Sequence, residues 1–115
     1  IKEVFENSAS ALLHSVYDGK VRFKKRKNIS VAGKDLNSLM YNFLEEFIFL
    51  IDAENFLVGK VKVRISENED KIEAEIHGDD ISNYKTDMHI KAVTYNDMFV
   101  KKIKNKFVAQ VVLDV

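Results

Sequence analysis

The spacing of apolar and polar residues predicts two helices. Over residues 1–17 apolar side chains recur every three or four positions, which is the period of an amphipathic helix. Asp18-Gly19 follows this run, and glycine favours the left-handed backbone that closes a helix. A second, more apolar run covers residues 36–51 after Asp35, whose carboxylate can accept from the free amides of a first turn. We expect the second helix to be the main core helix.

Two hairpin patterns flank the second helical run. Residues 20–27 alternate as a strand with one apolar face would, and 28–32 follow as a short return strand. Residues 56–66 and 72–76 alternate on either side of the acidic turn 67–70, which predicts a hairpin with one solvated face.

The last third of the chain is rich in β-branched and aromatic residues. It predicts a strand that begins at Met88, a turn at Asn96-Asp97, a strand over 98–103, a turn over 104–106 and a closing strand over 107–115. We expect the closing strand to pair near the one that begins at Met88. Together the elements predict an α+β fold in which two amphipathic helices lie on one face of a mostly antiparallel sheet.

Composition narrows the class of protein. The 115 residues suit one domain over 1–115, and eighteen basic residues balance eighteen acidic ones, so no general attraction to nucleic acid or anionic membrane is expected. Cysteine is absent, which removes disulfides and thiolate metal sites. No apolar run approaches the ~20 residues of a membrane span. These properties predict a soluble cytoplasmic protein, with the nucleus as a further location in a eukaryote.

One basic segment stands out against this neutral background. Residues 20–27 hold six lysines and arginines around Val21 and Phe23. The segment has two interpretations, a phosphate-contacting arm or a solvated strand whose charges discourage edge pairing. Aromatic residues suited to base stacking are nearly absent from it, which favours the solvated strand.

The cluster His77-Gly78-Asp79-Asp80 is a weak candidate for a metal site. Asp79, Asp80 and the His77 imidazole are groups that bind divalent ions. The same letters also describe a turn that leaves a strand, and no second cluster lies at ligand spacing.

Lys91 and Asp114 are the first candidates for chemistry, because each is an ionisable residue within an apolar strand pattern. If Val115 closes the chain, its α-carboxylate lies one residue from Asp114, and two such anions repel unless a cation lies between them. A divalent ion or the Lys91 ammonium would serve. The alternative is that Asp114 is exposed at a frayed strand end and that Lys91 reaches solvent at the sheet edge.

Sequence motifs of common enzymes are absent. The chain has no GxSxG, P-loop, HExxH or GxGxxG motif and no cysteine nucleophile.

Four segments together resemble the archease family, in the same order and over nearly the whole chain. They are residues 3–9, residues 36–56, the stretch Ile-Lys-Ala-Val-Thr-Tyr at 90–95, and the ending Val-Leu-Asp-Val at 112–115. The resemblance implies a non-enzymatic activator in tRNA splicing. Archeases assist the GTP-dependent RNA ligase of the RtcB type, by promoting guanylylation of the ligase and its repeated turnover, so association with tRNA would be indirect.

The resemblance also implies roles for particular residues. Lys91 matches the family lysine implicated in ligase activation, and Asp114 with Val115 matches part of a site for a divalent metal ion of the calcium, magnesium or manganese type. The family's N-terminal His-Thr-Ala-Asp segment has no match here, and the chain opens at Ile1 within a helical pattern. We therefore expect an N-terminal strand segment of the family, with one metal ligand, to be missing.

Two other functions stay open at this point. One is a metal-dependent hydrolase that uses the same carboxylates. The other is a small RNA-binding module that uses the basic residues 20–27, for which affinity would fall steeply with salt.

Overall fold

The computed structural model describes residues 1–86 and 92–114, which form two helices and five strands. In chain order these are α1 (Lys2–Val16), β1 (Lys25–Ala32), α2 (Leu36–Glu54), β2 (Phe56–Ile65), β3 (Lys71–Asp80), a 3₁₀ turn (Ile81–Asn83), β4 (Ala92–Ile103) and β5 (Lys106–Asp114). The predicted α+β class is confirmed. Within these residues, neither helix is both long and apolar enough to cross a membrane.

The strands form two antiparallel sheets where the sequence predicted one. Strand β3 lies between β1 and β2 in a three-stranded sheet, and β4 pairs with β5 in a separate hairpin. Both helices contact β2 and each other, and α2 also packs against β4. The core therefore lies between the helices and the two sheets.

A chain of three phenylalanine rings joins the helices. Phe5 of α1 meets Phe43 of α2 edge to face, with ring centroids 5.8 Å apart, and Phe43 meets Phe47 at 5.0 Å. All three side chains are fully buried. The prediction that α2 is the main core helix is supported by the seven buried residues that it carries.

The predicted start of α2 is confirmed, but the predicted end of α1 is wrong. The Ser38 amide donates to Asp35 Oδ1 at 2.7 Å, which is the expected N-cap. Helix α1 ends at Val16, and Tyr17 takes an extended conformation, so the glycine at 19 plays no part in closing it. Just past this end, the Tyr17 ring packs edge to face against Tyr84, with ring centroids 5.2 Å apart.

The two strands predicted over 20–32 are one strand preceded by a loop. Strand β1 runs unbroken over Lys25–Ala32 along β3, whereas residues 20–24 lie outside any strand. The loop is held by a side chain and not by strand pairing, since the backbone amide of Arg22 donates to the Tyr84 hydroxyl at 2.8 Å.

The turn predicted at Asn96-Asp97 is an irregularity inside β4. Thr94 pairs with Val112 and Phe99 pairs with Gln110, so four residues of β4 lie opposite one residue of β5. Asp97 has a φ of 66°, and the Gln110 side chain donates to its carbonyl oxygen. Asparagine and aspartate tolerate this left-handed backbone in a bulge as well as in a turn. Their presence at 96 and 97 therefore did not distinguish the two, and the predicted turn was wrong.

Side chains of α2 bind the backbone of β4 directly. The Val93 amide donates to Glu45 Oε1 at 3.2 Å, and the Val100 amide donates to Asn37 Oδ1 at 2.8 Å. These two amides face away from β5. Helix α2 therefore takes the place of a neighbouring strand along β4 and separates the hairpin from the three-stranded sheet.

Glu45→Ala should lower the free energy of unfolding by roughly 1 kcal/mol, because it leaves the partly buried Val93 amide without an acceptor. Glu45→Gln keeps an acceptor oxygen and should retain most of the stability. Chemical denaturation of the three proteins checks this. Equal stability of the two variants would show that the Val93 contact contributes nothing.

Candidate functional site

The candidate site is the base of the β4–β5 hairpin, where the end of the chain pairs with the segment that follows Lys91. Ala92 pairs with Asp114, Val93 with Leu113, and Thr94 with Val112. We call these six residues the hairpin base. The predicted pairing of the two terminal strand segments is confirmed for them.

Asp114 is the last residue of β5, and it is exposed. The apolar strand does not bury its carboxylate, so the position requires no counterion for stability. The other two candidate residues, Lys91 and Val115, lie outside the described residues, and the predictions for them stay predictions. Among residues 1–86 and 92–114, no three histidine or carboxylate side chains come close enough together to hold a metal ion.

Tyr95, the residue that follows the hairpin base in β4, also contacts α2. The Tyr95 ring meets the Tyr41 ring edge to face at 5.5 Å, and the Tyr95 hydroxyl lies 3.4 Å from the Ser38 hydroxyl. Partial burial and the neighbouring Glu45 carboxylate raise the pKa of Tyr41. The spacing of residues in α2 does not reveal these contacts, because Val93 and Tyr95 lie some fifty residues further along the chain.

The His77–Asp80 cluster forms the end of β3, not a turn that leaves it. The His77 Nε2 lies 2.8 Å from Glu75 Oε1, and Asp80 Oδ1 accepts from the Ser82 amide at 2.9 Å. At Gly78 a β-carbon would lie 2.0 Å from the Leu57 carbonyl oxygen, so the glycine allows β2 to approach β3 closely.

Asp79 is the one buried charged residue among those described, and its carboxylate has four partners. Oδ1 accepts from the backbone amide of Asp80 at 2.8 Å and lies 3.4 Å from Nδ2 of the Asn83 side chain. Oδ2 accepts from the Tyr84 hydroxyl at 2.9 Å and lies 3.5 Å from Arg22 Nε. Burial acts to raise the pKa of Asp79, but these donors and the Arg22 charge outweigh it and hold the pKa below its ordinary value. Asp79 thus anchors the 3₁₀ turn and the 20–24 loop.

Four of the six cations in the basic segment 20–27 have acidic partners. Arg22 contacts Asp79, Lys25 contacts Asp80 at 3.6 Å, Arg26 contacts Glu75 at 3.6 Å, and Lys27 contacts Glu54. Within the described ranges, only Lys20 and Lys24 lack such a contact. The segment is therefore not an array of free positive charge, which supports the solvated interpretation.

Comparisons with known proteins agree with this arrangement. The model of the "Archease protein family (MTH1598/TM1083)" matches residues 1–115. The chain belongs to the archease family. It is 34% identical over 121 residues to "Protein archease" of Pyrococcus abyssi, covering 100% of this chain and 85% of that protein. The corresponding protein of Methanosarcina acetivorans is 33% identical over 121 residues, with 100% and 83% covered.

The fold of the chain also matches that of a solved structure. The solution structure of Methanobacterium thermoautotrophicum protein 1598 superposes with a TM-score of 0.83 at 30% sequence identity, and covers 98% of this chain and 84% of that one. The resemblance drawn from the segments at 3–9, 36–56, 90–95 and 112–115 is confirmed at the level of the family. Archease membership is consistent with an accessory protein.

Acid should destabilise this archease partly through Asp79. A carboxyl group whose pKa is lower in the folded state stabilises the fold above its ordinary pKa, and that contribution is lost as the pH falls through the folded value. Between about pH 6 and pH 2, the free energy of unfolding should therefore fall less steeply with decreasing pH in Asp79→Asn than in the parent protein. We call this fall the acid limb.

Two further variants isolate the cause. Tyr84→Phe removes one donor to Asp79 and should also flatten the acid limb, whereas Asp52→Asn changes an exposed carboxylate on α2 and should leave it unaltered. An Asp79→Asn profile parallel to that of the parent would contradict the assignment.

Proposed function

We propose that this archease is a non-enzymatic activator of a GTP-dependent RNA ligase of the RtcB type in tRNA splicing, and that it promotes guanylylation of the ligase and its multiple turnover. The observation that carries the proposal is the family match over residues 1–115, which includes the Lys-Ala-Val-Thr-Tyr segment and the terminal Leu-Asp-Val. The fold gives it support, because the two segments meet through the pairs of the hairpin base.

The hairpin base would present Asp114 to the ligase with little loss of conformational freedom. Asp114 is exposed. The strand opposite, β4, is held to α2 by the hydrogen bond between Val93 and Glu45 and by the ring contact between Tyr95 and Tyr41. A charge on such a rigid element acts on a partner's nucleotide site without reorganising, which is the condition for effective electrostatic assistance. In this proposal Asp114 and Lys91 supply that charge.

The proposal includes a divalent ion of the calcium, magnesium or manganese type, with Asp114 and Val115 as two of its ligands. The donor chemistry fits, because carboxylate oxygens suit hard cations. Among the described residues no group of three histidine or carboxylate side chains is available, and a hard ion needs about six oxygens. Backbone oxygens, water or groups outside residues 1–86 and 92–114 would therefore have to complete the site. When bound, the ion would add positive charge beside a nucleotide.

The proposal predicts that Lys91→Ala and Asp114→Ala each reduce archease-stimulated guanylylation of the ligase by tenfold or more. The measurement is incorporation of labelled GTP into the ligase over several turnovers, without RNA. Lys34→Ala and Asp52→Ala, which change exposed residues of the same types elsewhere, should stimulate like the parent protein.

The same assay separates the competing functions. Full stimulation by both Lys91→Ala and Asp114→Ala would refute the site assignment even within this family. Nucleotide turnover by the isolated protein, lost in Asp114→Ala, would favour the metal-dependent hydrolase instead.

Metal binding gives a second, independent prediction. Calorimetric titration of the full chain with Ca²⁺, Mg²⁺ or Mn²⁺ should show at least tenfold weaker binding for Asp114→Asn than for the parent, because the substitution removes an anionic ligand. Asp79→Asn should bind like the parent, since the four contacts of Asp79 already occupy that carboxylate. A reversed ranking would move the metal site to the end of β3.

A further inference from the structure

The far end of the β4–β5 hairpin concentrates positive charge that the rest of the chain balances. Residues 98–113 contain four lysines and no aspartate or glutamate, while the whole chain has a formal charge of zero. The remainder of the protein is therefore net acidic by four charges. We call Phe99–Ile103 with Lys106–Gln110 and the turn between them the hairpin tip.

The lysines of the hairpin tip differ from those of the 20–27 segment in their partners. Lys101, Lys102, Lys104 and Lys106 are all exposed, and no acidic group of the described chain lies within ion-pair distance of them. Among the described residues, the hairpin tip thus carries four lysines without an acidic partner, whereas the basic segment 20–27 carries two.

The backbone distributes these charges around the tip. Cross-strand partners share a face, so the pairs Lys101–Val108 and Ile103–Lys106 put two lysines on the outward face, while the pair Lys102–Phe107 lies on the other. Lys104 lies at the turn, where it and Asn105 have φ values of 49° and 67°. A narrow two-stranded ribbon with cations on both faces fits a flexible chain of phosphates better than it fits a flat anionic surface such as a membrane.

Aromatic rings support two of the lysines. The Lys101 ammonium lies 4.5 Å from the centroid of Phe99, and the Lys102 ammonium lies 5.9 Å from that of Phe107. Cation–π contact at these distances holds the charge over an apolar base without neutralising it. The hairpin tip contains no arginine, and lysine acts as a point charge without the bidentate geometry that reads a base edge.

We infer that the hairpin tip binds the phosphate backbone of RNA without sequence specificity. The choice of RNA as the polyanion rests on the proposed function, because the ligase substrate is RNA. The tip and the hairpin base are opposite ends of one hairpin, so the protein can contact the ligase with one end and RNA with the other. This is a direct contact, in addition to the indirect association with tRNA that family membership implies.

The test measures binding of the full-length chain to a fluorescent tRNA transcript and to an unstructured RNA oligonucleotide. For four phosphate contacts on a single strand, log affinity should fall against log salt with a slope of about −3. Lys101→Gln with Lys106→Gln should reduce the slope by roughly half and weaken binding at low salt at least tenfold. The matched control, Lys20→Gln with Lys24→Gln, removes the same charge from the 20–24 loop and should bind within about twofold of the parent.

A guanylylation assay without RNA separates this inference from the proposed function. The hairpin-tip variant should stimulate guanylylation fully, whereas Asp114→Ala should bind RNA fully. Absence of stimulation by the parent protein would refute the proposed function, whereas full stimulation by both Asp114→Ala and Lys91→Ala would refute only the site assignment. Either result leaves the RNA measurement standing.

Four outcomes would overturn the inference. They are absence of RNA binding at low salt, equal binding by the hairpin-tip and control variants, preferential binding to phosphatidylserine vesicles over RNA, and loss of guanylylation in the hairpin-tip variant. The third would indicate a membrane contact, and the last would indicate that the tip touches the ligase.

Discussion

The arrangement of the candidate site depends on hydrogen bonds from the outer edge of β4 to side chains of α2. A strand in a two-stranded sheet has one row of amides without a ladder partner, and a partly buried amide left unpaired is destabilising. Glu45 and Asn37 supply acceptors for Val93 and Val100. Glu6 of α1 does the same for the Val63 amide of β2. Side chains of the helices therefore accept hydrogen bonds from backbone amides at an edge of each sheet.

The sequence was most informative where one period extends over many residues. The apolar spacing of 36–51 predicted α2, and the Asp35 cap and the hairpin of β2 and β3 were confirmed because local chemistry determines them. Errors arose where a distant partner decides the conformation. Tyr17, just past the end of α1, packs against Tyr84, and Arg22, in the loop before β1, donates its backbone amide to the Tyr84 hydroxyl.

The candidate site was predictable only in part. Pairing of the terminal strand with the segment after Lys91 was predicted from the pattern of apolar, β-branched residues, and the described pairs confirm it. Its apolar neighbours left two alternatives for Asp114, a paired or an exposed carboxylate, and the structure shows that it is exposed. The role of Asp79 was also hidden, since its donors come from three different segments of the chain. The solvated interpretation of 20–27 is supported, but the four acidic partners of the segment come from elsewhere in the chain and could not be read from its own residues.

The irregularity at Asp97 divides β4 into two stretches that need not share a register. Four residues face one across it, and the Gln110 side chain ties it to the partner strand. A slip or a length change on the far side can be absorbed there without turning Val93 or Leu113 over to the opposite face. The tip of the hairpin can thus change in length while the end that carries Asp114 keeps its alignment with Ala92.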